Sequence, residues 1–193
     1  MKTSLVVPVV LIMILACPRS GVGYGSMGLY ADQDATITQV EASGGQLPLY
    51  LVAMDPVDDS GSVPGSLQGF ECLVTFQSAS DFVMDVSFPV SVINVGTLDN
   101  LIVGFGSPLP LPGSAVVLAT VVVYTNGQPE SNIFLGPSEP ASIPGYLAVI
   151  DQDFNLMPME PVSGDIQRPV FYINSGGPPL ENASWGTAKI LYR

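Results

Sequence analysis

The chain breaks its apolar residues into short runs rich in Val, Ile, Leu and Phe, and it closes nearly every run with Gly, Pro, Asn or Asp. No other feature constrains the fold as much. β-Branched and aromatic side chains suit a pleated, half-buried surface, whereas Gly and Pro end regular structure and open turns. Beyond the N-terminal segment, apolar spacing of helical period is not sustained over any window of about a dozen residues. The expected strands are Gly28–Ala31, Thr36–Glu41, Pro48–Met54, Leu67–Gln77, Phe82–Val95, Leu101–Phe105, Ala115–Thr125, Ile133–Leu135, Tyr146–Asp151, Val170–Asn174 and Trp185–Tyr192. In the fifth, Val83, Asp85 and Ser87 oppose Met84, Val86 and Phe88 until Pro89 interrupts, which predicts two strands or one bent edge strand. Ala115–Tyr124 is apolar almost throughout, as a central strand covered on both sides would be. Many short strands with frequent turns predict an all-β fold, a two-layer antiparallel β-sandwich.

The N-terminus carries an export pattern. Lys2 precedes an apolar run from Leu5 to Ala16, long enough for the core of a signal peptide and too short to span a bilayer comfortably. Small residues follow at Gly21, Gly23, Gly25 and Ser26. Gly23 and Gly25 fit a cut before Ser26, which makes residues 1–25 a signal peptide and residues 26–193 a single domain. A second reading of the same segment stays open. Ile14-Leu15-Ala16-Cys17 has the order of a bacterial lipobox, with a lipid anchor at Cys17, although Leu15 is bulky for its place and Pro18 is unusual after the cysteine. Both readings expect a bacterial protein that is secreted, periplasmic or held at the cell surface. Pro, Gly or charge interrupts every other apolar run, so no further membrane span is expected.

Charge narrows the partners. The chain has 17 acids against 5 cations and no histidine, for a net charge of −12. Removal of Lys2 and Arg19 with residues 1–25 leaves Arg168, Lys189 and Arg193 against all 17 acids. Such a surface repels phosphate backbones and anionic lipid, so nucleic acid is excluded as an expected partner. The same acids also keep a hydrophobic β-protein in solution.

The absence of histidine removes Ser-His-Asp and Cys-His catalysis and every histidine-ligated metal site. Cys72 is the one cysteine beyond Cys17, which excludes a disulfide scaffold, and it is expected to be a buried small hydrophobe. Carboxylates remain. A glycosidase needs two of them, roughly 5–10 Å apart; Glu71 and Glu160 are the residues to test, but no two Glu stand at alternate positions of one strand. Asp151, Asp153 and Asn155 place three oxygen-bearing side chains at alternate positions, as the start of a calcium loop does. Leu156 and Val162 stand where an EF-hand would have Gly and an acid, so these are calcium candidates of another kind or plain turn formers. Asp32 with Asp34, and Asp55 with Asp58 and Asp59, are similar clusters. Pro56–Pro64, Pro108–Pro112 and Pro129–Pro144 read as extended connectors.

Gly69-Phe70-Glu71 through Phe76, and Val117-Leu118-Ala119-Thr120-Val121-Val122-Val123 after the turn at Gly113-Ser114, resemble cohesin-type modules over roughly residues 47–125. Pro48–Asp55, an apolar strand running into a proline-containing loop, suits the strand that precedes Gly-Phe in that family. The resemblance implies a cohesin-like, immunoglobulin-like sandwich that binds another protein. Gln77-Ser78-Ala79-Ser80-Asp81 departs from the family's Asp-Pro turn, and residues 126–193 fall outside the resemblance. The opening Gly28-Leu29-Tyr30 and the closing Trp185-Gly186 stretch are also similar to uncharacterised secreted bacterial proteins.

Together these observations predict a secreted or envelope module with a binding or scaffolding role, not an enzyme, whose partner is another secreted or surface protein. The alternatives are a structural envelope protein without a discrete ligand and a carboxylate-dependent glycoside hydrolase. Far-UV circular dichroism of residues 26–193 should show β structure with little helix. A helix content above roughly a quarter, near the globular average, would exclude the sandwich.

Overall fold

The computed structural model describes residues 24–58, 60–127 and 130–175. No helix occurs among the described residues. The strands are β1 (Gly25–Tyr30), β2 (Gln39–Val40), β3 (Gly45–Met54), β4 (Ser66–Phe76), β5 (Phe82–Ser87), β6 (Val92–Asn94), β7 (Asn100–Pro110), β8 (Ala115–Thr125), β9 (Ser131–Gly136), β10 (Leu147–Asp151), β11 (Leu156–Pro161) and β12 (Phe171–Ile173).

One layer runs β1–β3–β8–β5, antiparallel throughout. The other is built on β4. One edge of β4 pairs with β7, which carries β6 outside it; the other edge is shared end to end by β10 and β9. Strand β11 pairs with β10 and with β1 and so joins the layers along one side. The inner faces meet in one core. Met27, Leu29, Leu49, Leu51, Val121 and Val123 come from the first layer, and Phe70, Cys72, Val74, Leu101, Val103 and Phe105 from the second. The Phe70 ring lies 5.9 Å from Phe105 and 6.4 Å from Phe88, which follows β5 in the opposite layer. Tyr30 is fully buried and satisfies its hydroxyl by donating to Met54 Sδ at 3.7 Å.

The all-β sandwich read from the sequence is therefore present, with three differences of detail. First, β1–β11 and β2–β12 pair in parallel, so the sandwich is mixed and not purely antiparallel. Second, the Pro108–Pro112 stretch is largely strand. The alternation that reads as polyproline is the period of two of a strand: Leu109 and Leu111 are buried, Pro108 and Pro110 face out, and Leu109 pairs with Leu67. Third, β11 is absent from the expected strands because Pro158, Pro161 and two methionines disguise it. Met157 and Met159 nevertheless alternate inward with Pro158 between them. The break at Pro89 separates β5 from β6 as expected, and it carries the chain from one layer to the other. Strand β8 is central, between β3 and β5. The expected signal segment up to residue 23, Cys17 and the Trp185–Tyr192 strand lie outside the described residues.

Leu51 sits at the middle of β3 with no exposed surface. Leu51→Ala should cost about 2–5 kcal/mol, the lost transfer energy plus an unfilled cavity. Denaturant titration should show a lower midpoint at unchanged slope; a midpoint within error of the parent would contradict the placement of Leu51 in the core.

Candidate docking face

Strands β6, β7, β4 and β10 lie side by side, and their outward residues form rows across the sheet. Ile93 pairs with Gly104, Gly104 with Gly69, and Gly69 with Ile150. The two middle positions have no side chain, so the row sinks to backbone level between two isoleucines. Gly69 is required there because a β-carbon would run into the Val103 carbonyl, and Ile150 Cδ1 already leans to 3.3 Å from that position. At Gly104 nothing lies within 4 Å of where a β-carbon would stand, so the space above it is open. The result is a trough of about 260 Å³ walled by Ile93, Val95, Ile102 and Ile150. Ile93 is 71% exposed and Val95 73%, which places two large aliphatic side chains in water on one rim.

Glu71 and Ser142 close one end of the trough. Alternation in β4 turns Glu71 away from the core between Phe70 and Cys72, and the segment joining β9 to β10 covers it. Its two carboxylate oxygens accept from the Ser142 backbone N–H at 2.7 Å and from the Ser142 hydroxyl at 2.8 Å. A second pair of bonds pins the same segment: Asn100 Nδ2 donates to the Glu139 carbonyl at 2.7 Å, and the Glu139 N–H donates to Asn100 Oδ1 at 2.9 Å. Exposed Glu139 thus lies beside the Asn100 end of β7, while neighbouring Asp99 accepts from the Thr97 hydroxyl and the Asn100 N–H in its own turn. Glu160 lines a different cleft with Tyr146 and Asp165, so the two hydrolase candidates do not share a cleft.

The calcium candidates Asp151, Asp153 and Asn155 come together in the β10–β11 turn. Asp151 Oδ1 accepts from the backbone N–H groups of Asp153 and Asn155, each at 2.8 Å, and Oδ2 accepts from Asn155 Nδ2 at 2.9 Å. Both oxygens are thereby committed to the turn, which holds Phe154 at φ 64°. Asp151 is thus the acceptor that closes the turn, with the Asp153 and Asn155 backbones and the Asn155 amide as its donors. Among the described residues no group of three or more His, Cys, Asp or Glu side chains is gathered for a metal. Asp58 and Asp32 do the same work in their own turns, accepting from Ser60 and Ser62 and from Thr36 and Ile37. Asp59 lies outside the described residues. Cys72 is buried in the core, and burial, with the nearby Glu71 charge, pushes its thiol up to about 12.

The sequence singled out Gly69 only as part of a Gly-Phe motif and did not single out Gly104. The available signal was a glycine inside each of two apolar strands, which marks a close approach or an opening. Their pairing depends on a register that sequence patterns do not reveal.

Burial pushes the Asp151 carboxyl up, but the hydrogen bonds from the Asn155 side chain and from the Asn155 and Asp153 backbones outweigh it and hold it below the usual range. The hydrogen bonds from Thr36 and Ile37 likewise overcome burial at Asp32, and those from Ser60 and Ser62 lower Asp58. The folded state therefore binds fewer protons than the unfolded state as acid is added. These contributions are complete above about pH 5 and are lost as pH falls through the folded values. Asp151→Ala should cost about 1–3 kcal/mol at pH 7 and reduce the loss of stability between pH 5 and pH 2 in urea titrations run at each pH. An unchanged acid dependence would show that the turn contributes nothing. Millimolar calcium should leave the parent melting temperature where it is, and a rise of several degrees would reverse the structural reading of this loop.

No family model matches the chain, and no curated protein matches it. Among solved structures the chain is similar to a non-cellulosomal cohesin from the hyperthermophilic archaeon Archaeoglobus fulgidus, at 9% identity and a TM-score of 0.48, covering 79% of this chain and 93% of that one. It is also similar to a type I cohesin–dockerin complex, Coh-OlpA-Doc918, from Clostridium thermocellum, at 14% identity and a TM-score of 0.42, covering 72% of this chain and 95% of that one. The likeness to cohesins is weak and spans most of the chain. At such identities and TM-scores it carries neither a partner nor an activity, and the sandwich stands on its own strand pairings.

Proposed function

We propose that this chain is an exported or cell-surface binding module that takes another protein on the outer face of β6, β7, β4 and β10, without turnover. The observation that carries this reading is the Ile93–Gly104–Gly69–Ile150 trough, open to water and flanked by exposed Ile93 and Val95. A partner of matching chemistry offers an apolar side chain to the trough and basic side chains to the acidic surface around it. Charge supports the second half of that description: Arg168 is the sole basic side chain among the described residues, against every carboxylate of the chain but Asp59 and Glu181. A desolvated apolar anchor inside a charged rim gives affinity from the centre and association rate from the edge. A polysaccharide would call for a row of exposed aromatic rings, and this face presents aliphatic side chains. The sequence resemblance over residues 47–125 implies the same class of role.

Gly104→Trp tests the proposal. Nothing lies within 4 Å of where a β-carbon at Gly104 would stand, so the melting temperature should stay within a few degrees of the parent while capture of the partner falls by more than about tenfold, or about 1.4 kcal/mol. The immobilised parent chain should retain a protein from the producing cell's secretome at low salt and less of it at high salt. Equal capture by Gly104→Trp and the parent would remove this face from consideration. Hydrolysis of a glycan or peptide that disappears in Glu71→Gln or Glu160→Gln would replace binding with catalysis.

A further inference from the structure

The expected cut before Ser26 falls inside a strand. Gly25 pairs in parallel with Met159, and Ser26 pairs with Glu160 on one side and Met54 on the other. Gly25 is buried so closely against the next loop that a β-carbon would stand 2.7 Å from the Asp55 carbonyl oxygen and from Pro56 Cα. One residue earlier, the Tyr24 ring packs edge-on against Tyr146 with centroids 5.2 Å apart and planes at 66°. A chain starting at Ser26 would lose the Tyr24 contact and the Gly25 pairing. It would also place a new α-ammonium group in the ladder between β3 and β11, where Ser26 is half-buried. A chain starting at Tyr24 keeps both and leaves its charge in water, since Tyr24 is 44% exposed.

We propose that the chain is processed between Gly23 and Tyr24. Signal peptidase needs small side chains one and three residues before the cut, and Gly23 and Gly21 occupy those positions. The pair Gly23 and Gly25 satisfies the same rule for the later cut. The two sites differ in their products, because only the earlier one leaves the first strand whole. This processing site rests on the export reading and is independent of the docking face.

The full-length chain, produced in a cell with a general secretory pathway, is recovered from outside the cytoplasm for intact-mass measurement and N-terminal sequencing. The expected product begins at Tyr24. Gly21→Leu changes the third residue before this cut and leaves both small positions of the later cut untouched, so it should abolish the Tyr24 product. A purified chain beginning at Ser26 should melt below one beginning at Tyr24. A parent product beginning at Ser26, a retained Met1, a diacylglyceryl group on Cys17, a Tyr24 start that persists in Gly21→Leu, or equal melting of the two chains would each overturn the proposal.

Discussion

Strand β4 has both edges occupied over most of its length, and the molecule is organised by that constraint. From Leu67 to Leu73 it bonds β7 on one side, while β10 and then β9 divide the other side between them. Every backbone donor and acceptor in such a strand has a ladder partner available, so its side chains can be buried on both faces without orphaned backbone groups. Phe70, Cys72 and Val74 face the core, and Glu71 faces outward yet is almost as deeply covered. An ionised group in that position needs dedicated donors. Ser142 supplies two, and in doing so fixes the β9–β10 connection against the sheet. The end wall of the trough is thus a consequence of how one buried carboxylate is satisfied.

The acids of this chain divide into two populations. Asp32, Asp58 and Asp151 are committed to their own turns, and Glu71 to Ser142. Others, such as Asp85 and Glu139, are exposed and add to the negative field over the surface. With so little positive charge to balance them, mutual repulsion works against the compact state. The apolar core must offset it, and salt will relieve it by screening the repulsion within the chain.

What the sequence revealed and what it concealed have separate physical causes. Patterns of period two survive in isolation, so the strands around Leu51, Phe70 and Val121 are visible without knowing their neighbours. The Pro89 break is visible because proline removes a ladder donor. Strand β11 was hidden because two of its three buried residues are methionines, which carry no strand preference, and the third is Pro161. The trough was hidden for a deeper reason. It exists only because residues 69 and 104 stand opposite one another, and a slip of one residue would turn every side chain of a strand to the other face. The Asp151 cluster was legible as a cluster but ambiguous in purpose, since a turn and a cation draw on the same oxygens.

The burial of Cys72 has a temporal consequence. At a thiol pKa near 12, the thiolate fraction at neutral pH is on the order of one in a hundred thousand, and the sulfur has no exposed surface. Once folded, Cys72 is shielded from oxidants and from disulfide exchange. Before folding, the same sulfur is an ordinary thiol. Were the chain to fold in an oxidising compartment, closing β4 between β7 and β10 would be a race against cross-linking between nascent chains, and packing of the core would end it.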